Sequence, residues 1–475
     1  MFRFGLIHPP NLRANAQVRH CRFGVFVGCA LLFWSMRGAF GFDVAYWVWQ
    51  RDQPLTAEEL EQLATQQVHT IYWHIGELEN IAETWRWKAR YPFPPGAKAI
   101  RLVPVVRLVS REREPFSPGS TAALLAALAP AAKLTGELQL DFDAPDRLLT
   151  DYAYALKKIH EITKNLTITA LPHWSRPECL RPFEYCIDEL FPMLYDFEAE
   201  PVLQKGDPPR PIIAPEKMTR MLRDWSSCPK PWRAGLPTFA RLTIYDPNEK
   251  SRGQIRNWSW DEVCLNRSLL FSKIGLGTAL LRANAPVVIS NTRLQKGDQL
   301  AIRLTDLAAL RDAINIAKQT SARGAVLFRM PDSSASSGWS LRQLSQFDAK
   351  AVLILRKSES GESLIVENNG VGDLAPRFDA TADDQKGYAL EIAADSPIFR
   401  EAEAGDFARV TACTDSQGAL SRVALPFATH LLFTFSQLRS AQSLETGLIQ
   451  LAPGASFRQA RYRFLNVTGD WKSFE

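Results

Sequence analysis

Between residues 43 and 331 the chain runs through eight strand-then-helix units, and this alternation constrains the fold more than any other feature. The apolar runs fall at 44–49, 70–75, 102–108, 138–142, 166–171, 190–195, 234–239 and 324–328. Strands separated by helical segments predict a parallel sheet, and a count of eight predicts its closure into a (β/α)8 TIM-like barrel. Helix signals lie between the runs. Thr56-Ala-Glu-Glu59 reads as a capping box, an Ala/Leu-rich helix follows Ser120, and further helices are expected near 215–225 and over 307–319.

One interval is too long for a single helix. Roughly eighty residues separate the seventh run from the eighth, so an inserted subdomain is expected there. Within it, 287–290 and 300–304 bracket Lys296-Gly-Asp298 and read as a hairpin. Pro331-Asp-Ser-Ser-Ala-Ser-Ser-Gly338 has boundary composition. Beyond residue 349 short β segments at 352–355, 363–367, 388–392, 431–435 and 460–465 alternate with turns such as Asn368-Asn-Gly370, and predict a β-sandwich. The expected organisation is an N-terminal signal or anchor over 1–41, a barrel over 42–335 with its insertion between strands seven and eight, and a sandwich over 345–475.

The formal charge of +5 suggests nucleic acid until it is located. Arg3, Arg13, Arg19, Arg22 and Arg37 are the only charged residues before Asp43, and without them the chain carries 51 charges of each sign. No basic tract that could track phosphates remains, so nucleic acid is excluded as a partner. Those arginines suit the n-region of an export signal, and the uncharged run Phe23 to Trp34 suits its apolar core, being short of the ~20 residues a spanning helix needs. Ala39-Phe-Gly41 places small residues where a signal peptidase reads. An exported protein, periplasmic or secreted, is expected. Membrane contact would come only through this segment, if it is left uncleaved or is lipidated at Cys29. Cys179, Cys186, Cys228, Cys264 and Cys413 remain beyond it, as buried thiols or one or two disulfides. Neither a Cys-x-x-Cys pair nor a His cluster at ligand spacing appears, and no metal or other cofactor is expected.

Chemistry concentrates at the C-terminal ends of the predicted strands, the face where a parallel barrel works. In Gly136-Glu-Leu-Gln-Leu-Asp-Phe-Asp143, Leu138, Leu140 and Phe142 alternate with Gln139, Asp141 and Asp143. The period of two puts both carboxylates on one face, roughly 6.5–7 Å apart along the strand. Two acids so placed raise each other's pKa, as general acid catalysis requires, although Asp143 or Asp146 could instead cap the following helix. Tyr195 and Asp196 end the sixth strand as donor and acceptor. Glu77 lies near the end of the second with its strand phase ambiguous, either a second carboxylate across the barrel or a surface group. Arg107, Arg241 and Arg329 close strands three, seven and eight, as ion-pair partners or as a site for an anionic sugar. His173 and Trp174 follow strand five. Of Trp47 and Trp49 on strand one, one is expected in the cleft to stack on a sugar face.

These motifs resemble glycoside hydrolase family 18, the chitinase-like barrels, whose fourth strand reads Asp-x-x-Asp-x-Asp-x-Glu. In register, Asp141 matches the last family aspartate and Asp143 stands at the catalytic glutamate, while Gly136 and Gln139 replace the two earlier aspartates. Leu-Thr-Ile-Thr-Ala-Leu-Pro172 is similar to that family's fifth strand, Met-Leu-Tyr-Asp196 to its sixth, and Ala45-Tyr-Trp47 to its first. Over its full length the chain also resembles a bacterial family of unknown function, domain of unknown function 3142. The chitinase-like resemblance implies that Asp143 protonates the glycosidic oxygen while Asp141 orients a substrate acetamido group for attack. It implies that Tyr195 and Asp196 contact that group and the reacting sugar. An aspartate at the acid position is one methylene short, roughly 1.5 Å, a gap that can cost about 10²-fold. The expectation is therefore an exported hydrolase of an N-acetylated or bacterial envelope polysaccharide, with an oligosaccharide or polysaccharide as its partner. The alternatives are a non-catalytic carbohydrate-binding barrel and a structural envelope protein.

Overall fold

The computed structural model describes residues 41–95, 99–195, 202–203, 206–332, 337–378, 387–416, 418–467 and 470–473. The expected export segment, but for Gly41, lies outside them, and Phe42–Glu475 forms one compact unit. Eight parallel strands make up the barrel: β1 (Asp43–Val48), β2 (Thr70–Ile81), β3 (Arg101–Ser110), β4 (Glu137–Asp141), β5 (Asn165–Ala170), β6 (Glu189–Pro192), β7 (Arg233–Pro237) and β8 (Gly324–Phe328). Their order is β6-β5-β4-β3-β2-β1-β8-β7. Bridges between Leu190 and Trp232 and between Met193 and Gly235 bring the two ends together. The predicted α/β barrel is the observed one.

Each strand is buried on both faces, and the period of two sorts its residues. Tyr46, Val48, Ile71, Leu138, Leu140, Leu166 and Ile168 point outward into the helical layer. Ala45, Trp47, Tyr72, Val103, Val105, Phe191 and Val326 fill the interior, so the barrel is a packed core closed at its floor. Gly235 is what lets Trp47 lie there: a Cβ at that position would stand 3.0 Å from the indole and 2.9 Å from the Pro192 carbonyl oxygen.

The helices form where their caps predict. Thr56 accepts from the Glu59 amide and the Glu59 carboxylate accepts from the Thr56 amide, which starts the helix Ala57–Thr65. Ser117 caps Pro118–Thr135, and Gly136 ends it with φ of 78°. Two units depart from the regular plan. Strand β2 runs twelve residues and turns back through Thr84–Arg90 as an antiparallel hairpin where a helix was due. After β5 the chain makes only short helical turns, Pro172–Ser175 and Pro177–Leu180.

The insertion between β7 and β8 is a five-stranded antiparallel sheet with a small side hairpin. The predicted pairing within it is corrected. Val287–Ile289 pairs with Thr292–Leu294 across Ser290-Asn291, both at positive φ, because this two-residue turn has the backbone a tight hairpin needs. Gln299–Leu304 pairs instead with Thr278–Ala283 and Ala240–Tyr245. Arg241 consequently lies on this sheet and does not close a barrel strand. Beyond residue 351, a four-stranded and a five-stranded sheet pack over Leu353, Val366, Leu390, Ile392, Phe433 and Phe435 to form the sandwich. None of the five cysteines is in a disulfide, and all are buried.

Candidate active site

Strand β4 supplies the acids. Leu138 and Leu140 turn to the helices, so Gln139 and Asp141 turn inward. Gln139 ties the floor together: its Oε1 accepts from the Trp47 indole at 2.6 Å and its amide nitrogen donates to Thr167 Oγ1 at 3.2 Å. One step higher, Thr169 Oγ1 donates to Asp141 Oδ1 at 2.8 Å. Asp143 follows the strand end. Its side chain is 56 % exposed against 11 % for Asp141, so the two acids differ in their access to solvent. Asp143 does not cap the next helical turn, Asp146–Leu148, which lacks a side-chain cap.

Arg107 on β3 stands among three carboxylates. Its Nε lies 3.8 Å from Asp141 Oδ2, its Nη2 3.9 Å from Asp143 Oδ2, and its Nη1 3.9 Å from Glu77 Oε2. These are ion-pair distances beyond hydrogen bonding, so the guanidinium offsets part of the cluster's charge without clamping any one acid. Glu77 is held more closely by Lys88, at 2.7 Å, from the hairpin that returns along β2. Burial first, then the charge of Asp143, pushes the Asp141 carboxyl up to about 6, against the opposing pull of Arg107 and Thr169. A group of this kind keeps its proton up to about pH 6, beside a second acid whose side chain is open to solvent.

The ambiguous phase of Glu77 is resolved by a bulge. Tyr72 faces the interior and Ile71, Trp73 and Ile75 the helices. The register to β3 shifts between His74 and Gly76, after which Leu78 faces the helices and Glu77 stands opposite Arg107. An unbroken strand would have sent Glu77 outward. His74, just before the bulge, is buried without a hydrogen bond of normal geometry at either ring nitrogen. Desolvation, and secondarily Arg107, lowers its pKa to about 4, so a neutral ring stacks on Trp49 at 3.9 Å.

Aromatic groups wall the rest of the mouth. Trp49 meets Phe328 edge-on at 5.5 Å, and Tyr195 stacks on Phe328 at 5.5 Å and 10°. Trp47 and Trp49 both face inward, where one was expected: Trp47 is buried in the floor and Trp49 is partly open above it. Arg329 is exposed directly after β8. One other expected contact is corrected. Trp174 is 0 % exposed and stacks on Phe183 in the outer layer, filling space left by the missing helix after β5. His173 is half-exposed and pairs with Asp146 at 2.7 Å, a bond that leads the lowering of the Asp146 pKa. Asp196 lies outside the described residues. Sequence reasoning passed over Thr169, His74 and Phe328. The inward threonines Thr167 and Thr169, alternating on the strand beside the acids, were the one available signal.

Among the described residues no group of His, Cys, Asp or Glu is arranged to hold a metal ion. The fold and these side chains define a (β/α)8 barrel with an acidic, aromatic-walled mouth at the C-terminal ends of its strands. No protein-family model matches the chain, and no curated protein does. Among solved structures it is similar to the spore cortex-lytic enzyme SleL of Bacillus megaterium, with 13% identity over 61% of this chain and 70% of that one, TM-score 0.40. It is similar also to a chitinase from Chromobacterium violaceum, with 12% identity over 62% and 96%, TM-score 0.39. A third is the multi-modular chitinase ChiW of a Paenibacillus, with 10% identity over 86% and 52%, TM-score 0.41. At such distances function is a matter of the chain's own groups.

Proposed function

We propose that the protein is an exported glycoside-hydrolase-like barrel that cleaves an N-acetylated or bacterial envelope polysaccharide by carboxylate general acid catalysis. The observation that carries this reading is the unequal acid pair: Asp141 buried and keeping its proton up to about pH 6, Asp143 open beside it on the same strand face. In the proposed step a sugar stacks against Trp49 and the Tyr195–Phe328 wall. Its acetamido oxygen bonds to the anomeric carbon as the glycosidic C–O bond breaks, and the leaving oxygen takes a proton from Asp143. Asp143 draws that proton from Asp141; water then attacks the anomeric carbon, breaks its bond to the acetamido oxygen and returns a proton to the pair. Arg107 balances the remaining charge. Export is supported by the five arginines and apolar run before Asp43. Asp196, next to Tyr195, is proposed to contact the reacting sugar.

The test is reducing-end release from tetra-N-acetylchitotetraose. Asp143→Asn and Asp141→Asn should each lower turnover by about 10²–10⁴-fold while binding is kept. Unchanged turnover in Asp143→Asn would remove it as the acid. A second reading, a non-catalytic carbohydrate-binding barrel, is favoured by one observation: Arg107, 3.8 Å from Asp141, pulls that carboxyl toward its ionised form. It predicts binding without cleavage in the wild type and indifference to Asp143→Asn.

A further inference from the structure

Beside the mouth, where the barrel, the insertion and the sandwich meet, lies a small half-open recess lined by Thr238, Phe239, Arg329, Asp332, Trp339 and Arg439 among others. It shares a wall with the candidate site. The Phe239 ring packs edge-on against both Tyr195, at 6.0 Å, and Phe328, at 5.9 Å. The recess is also cationic: two guanidinium groups line it against one carboxylate, and a third, Arg241, lies over the Phe239 ring at 5.4 Å.

Arg439 is the unusual member. It comes from the sandwich, is 5 % exposed, and forms no ion pair among the described residues. Its Nη2 donates to the Gly338 carbonyl at 2.6 Å and its Nη1 reaches the Asp332 carbonyl at 3.5 Å, while its buried Nε has no partner. A buried guanidinium bound only to carbonyls keeps its full charge uncompensated, which is costly unless an anion arrives. Desolvation accordingly lowers its pKa, with Asp373 and Asp332 opposing from a distance. Arg329 adds an exposed guanidinium at the edge, backed by the Thr238 hydroxyl, which donates to the Arg329 carbonyl at 2.6 Å.

We infer that the Arg329–Arg439 recess is a subsite for a carboxylate carried by a sugar adjacent to the one in the mouth, so that the polysaccharide bound is acidic as well as N-acetylated. This rests on the carbohydrate reading of the mouth. A guanidinium pair suits a planar carboxylate, and the Phe239 wall suits the pyranose that bears it.

The experiment is calorimetric titration of the full chain carrying Asp143→Asn, so that nothing is cleaved during binding. The probes are tetra-N-acetylchitotetraose, a tetrasaccharide alternating N-acetylglucosamine with glucuronic acid, one alternating it with its 3-O-lactyl ether, and free acetate. One or both acidic tetrasaccharides should bind at least 10-fold more tightly than the neutral one, and which of them does identifies the source of the carboxylate. Arg329→Gln and Arg439→Gln should each bring that advantage below 3-fold and leave the neutral probe within 2-fold. Arg329 is exposed, so its variant reports even if Arg439→Gln fails to fold. Neutral binding with no acidic advantage, an advantage that survives Arg329→Gln, or acetate binding as tightly as the acidic sugars would overturn the inference and leave the hydrolase reading standing. Failure of every tetrasaccharide to bind would overturn both.

Discussion

A carboxyl group buried beside a second one costs the fold stability wherever it is ionised, and Asp141 shows the sign of that cost. Its carboxyl lies at about 6 in the folded chain against the ordinary 3.8 of a solvated aspartate. Below about pH 4 it is protonated in both states and costs nothing. As pH rises from there to about 6 the unfolded chain releases its proton first, so stability falls, by at most about 3 kcal/mol once the window is passed. Asp141→Asn should therefore be more stable than the wild type at pH 8 by about 1–3 kcal/mol and equal to it at pH 4, with urea unfolding at both values as the measurement. An advantage that is the same at both would disconnect the effect from titration. The same proton governs the proposed reaction, so turnover should fall as pH rises through about 6. The pairing of Asp141 with Asp143 on one face was legible in the sequence, because a period of two needs only neighbours to be read. Arg107 as the hub of three acids was not, since that depends on which strands lie side by side. Trp174 misled for a related reason: after a strand ends, the next residues can turn to either side of the barrel wall.

At the scale of elements, the eight strands and the capped helices were readable because each carries its own signal: alternation, a Thr-x-x-Glu box, a glycine at a helix end. The bulge in β2 carries almost none. Gly76 is its one trace, with φ of 151° and a position where a Cβ would meet the Ala89 carbonyl oxygen at 2.3 Å and the Trp87 ring at 2.8 Å. The hairpin strand and the bulge therefore depend on the same missing side chain. Gly76→Ala should destabilise the protein by more than about 2 kcal/mol, because backbone and ring must both move. It should also release Glu77 from Arg107, so that carbohydrate binding weakens beyond what the loss of stability explains. Thermal melts alongside binding by the folded fraction separate the two. A variant that melts normally would show that the hairpin yields without strain. The insertion sheet was harder to read for a different reason. Its strands pair across long intervals, and local turn signals such as Lys296-Gly-Asp298 do not say which strand follows which in space.

Among the described residues, polar contacts join the sandwich to the barrel and its insertion along a seam, and one carboxylate makes three of them. Asp373 Oδ1 accepts from the Ser340 hydroxyl at 2.6 Å and the Ser440 amide at 2.8 Å, and its Oδ2 accepts from the Ser340 amide at 2.7 Å. Ser340 caps the helix Leu341–Ser345, whose Leu341 and Leu344 pack into the outer layer of the barrel. Ser440 lies just beyond the sandwich strand His430–Phe435. A second carboxylate, Asp261 of the insertion, accepts from the amide and hydroxyl of Ser436. Arg439 crosses the same seam, so the proposed acidic subsite exists only while sandwich and barrel stay docked. Replacing Asp373 by alanine strands three donors at once, at a cost of about 2–4 kcal/mol that falls on the docking rather than on either core. Calorimetry of the wild type should give one transition. Asp373→Ala should give two, the sandwich melting first, with the acidic tetrasaccharide losing its advantage as that first transition completes. Asp373→Asn keeps one acceptor and should fall between them. If Asp373→Ala melted in a single unshifted transition, Asp261 and the apolar contacts would suffice for docking, and the carboxylate at Asp373 would serve only as the partner of the Ser340 cap.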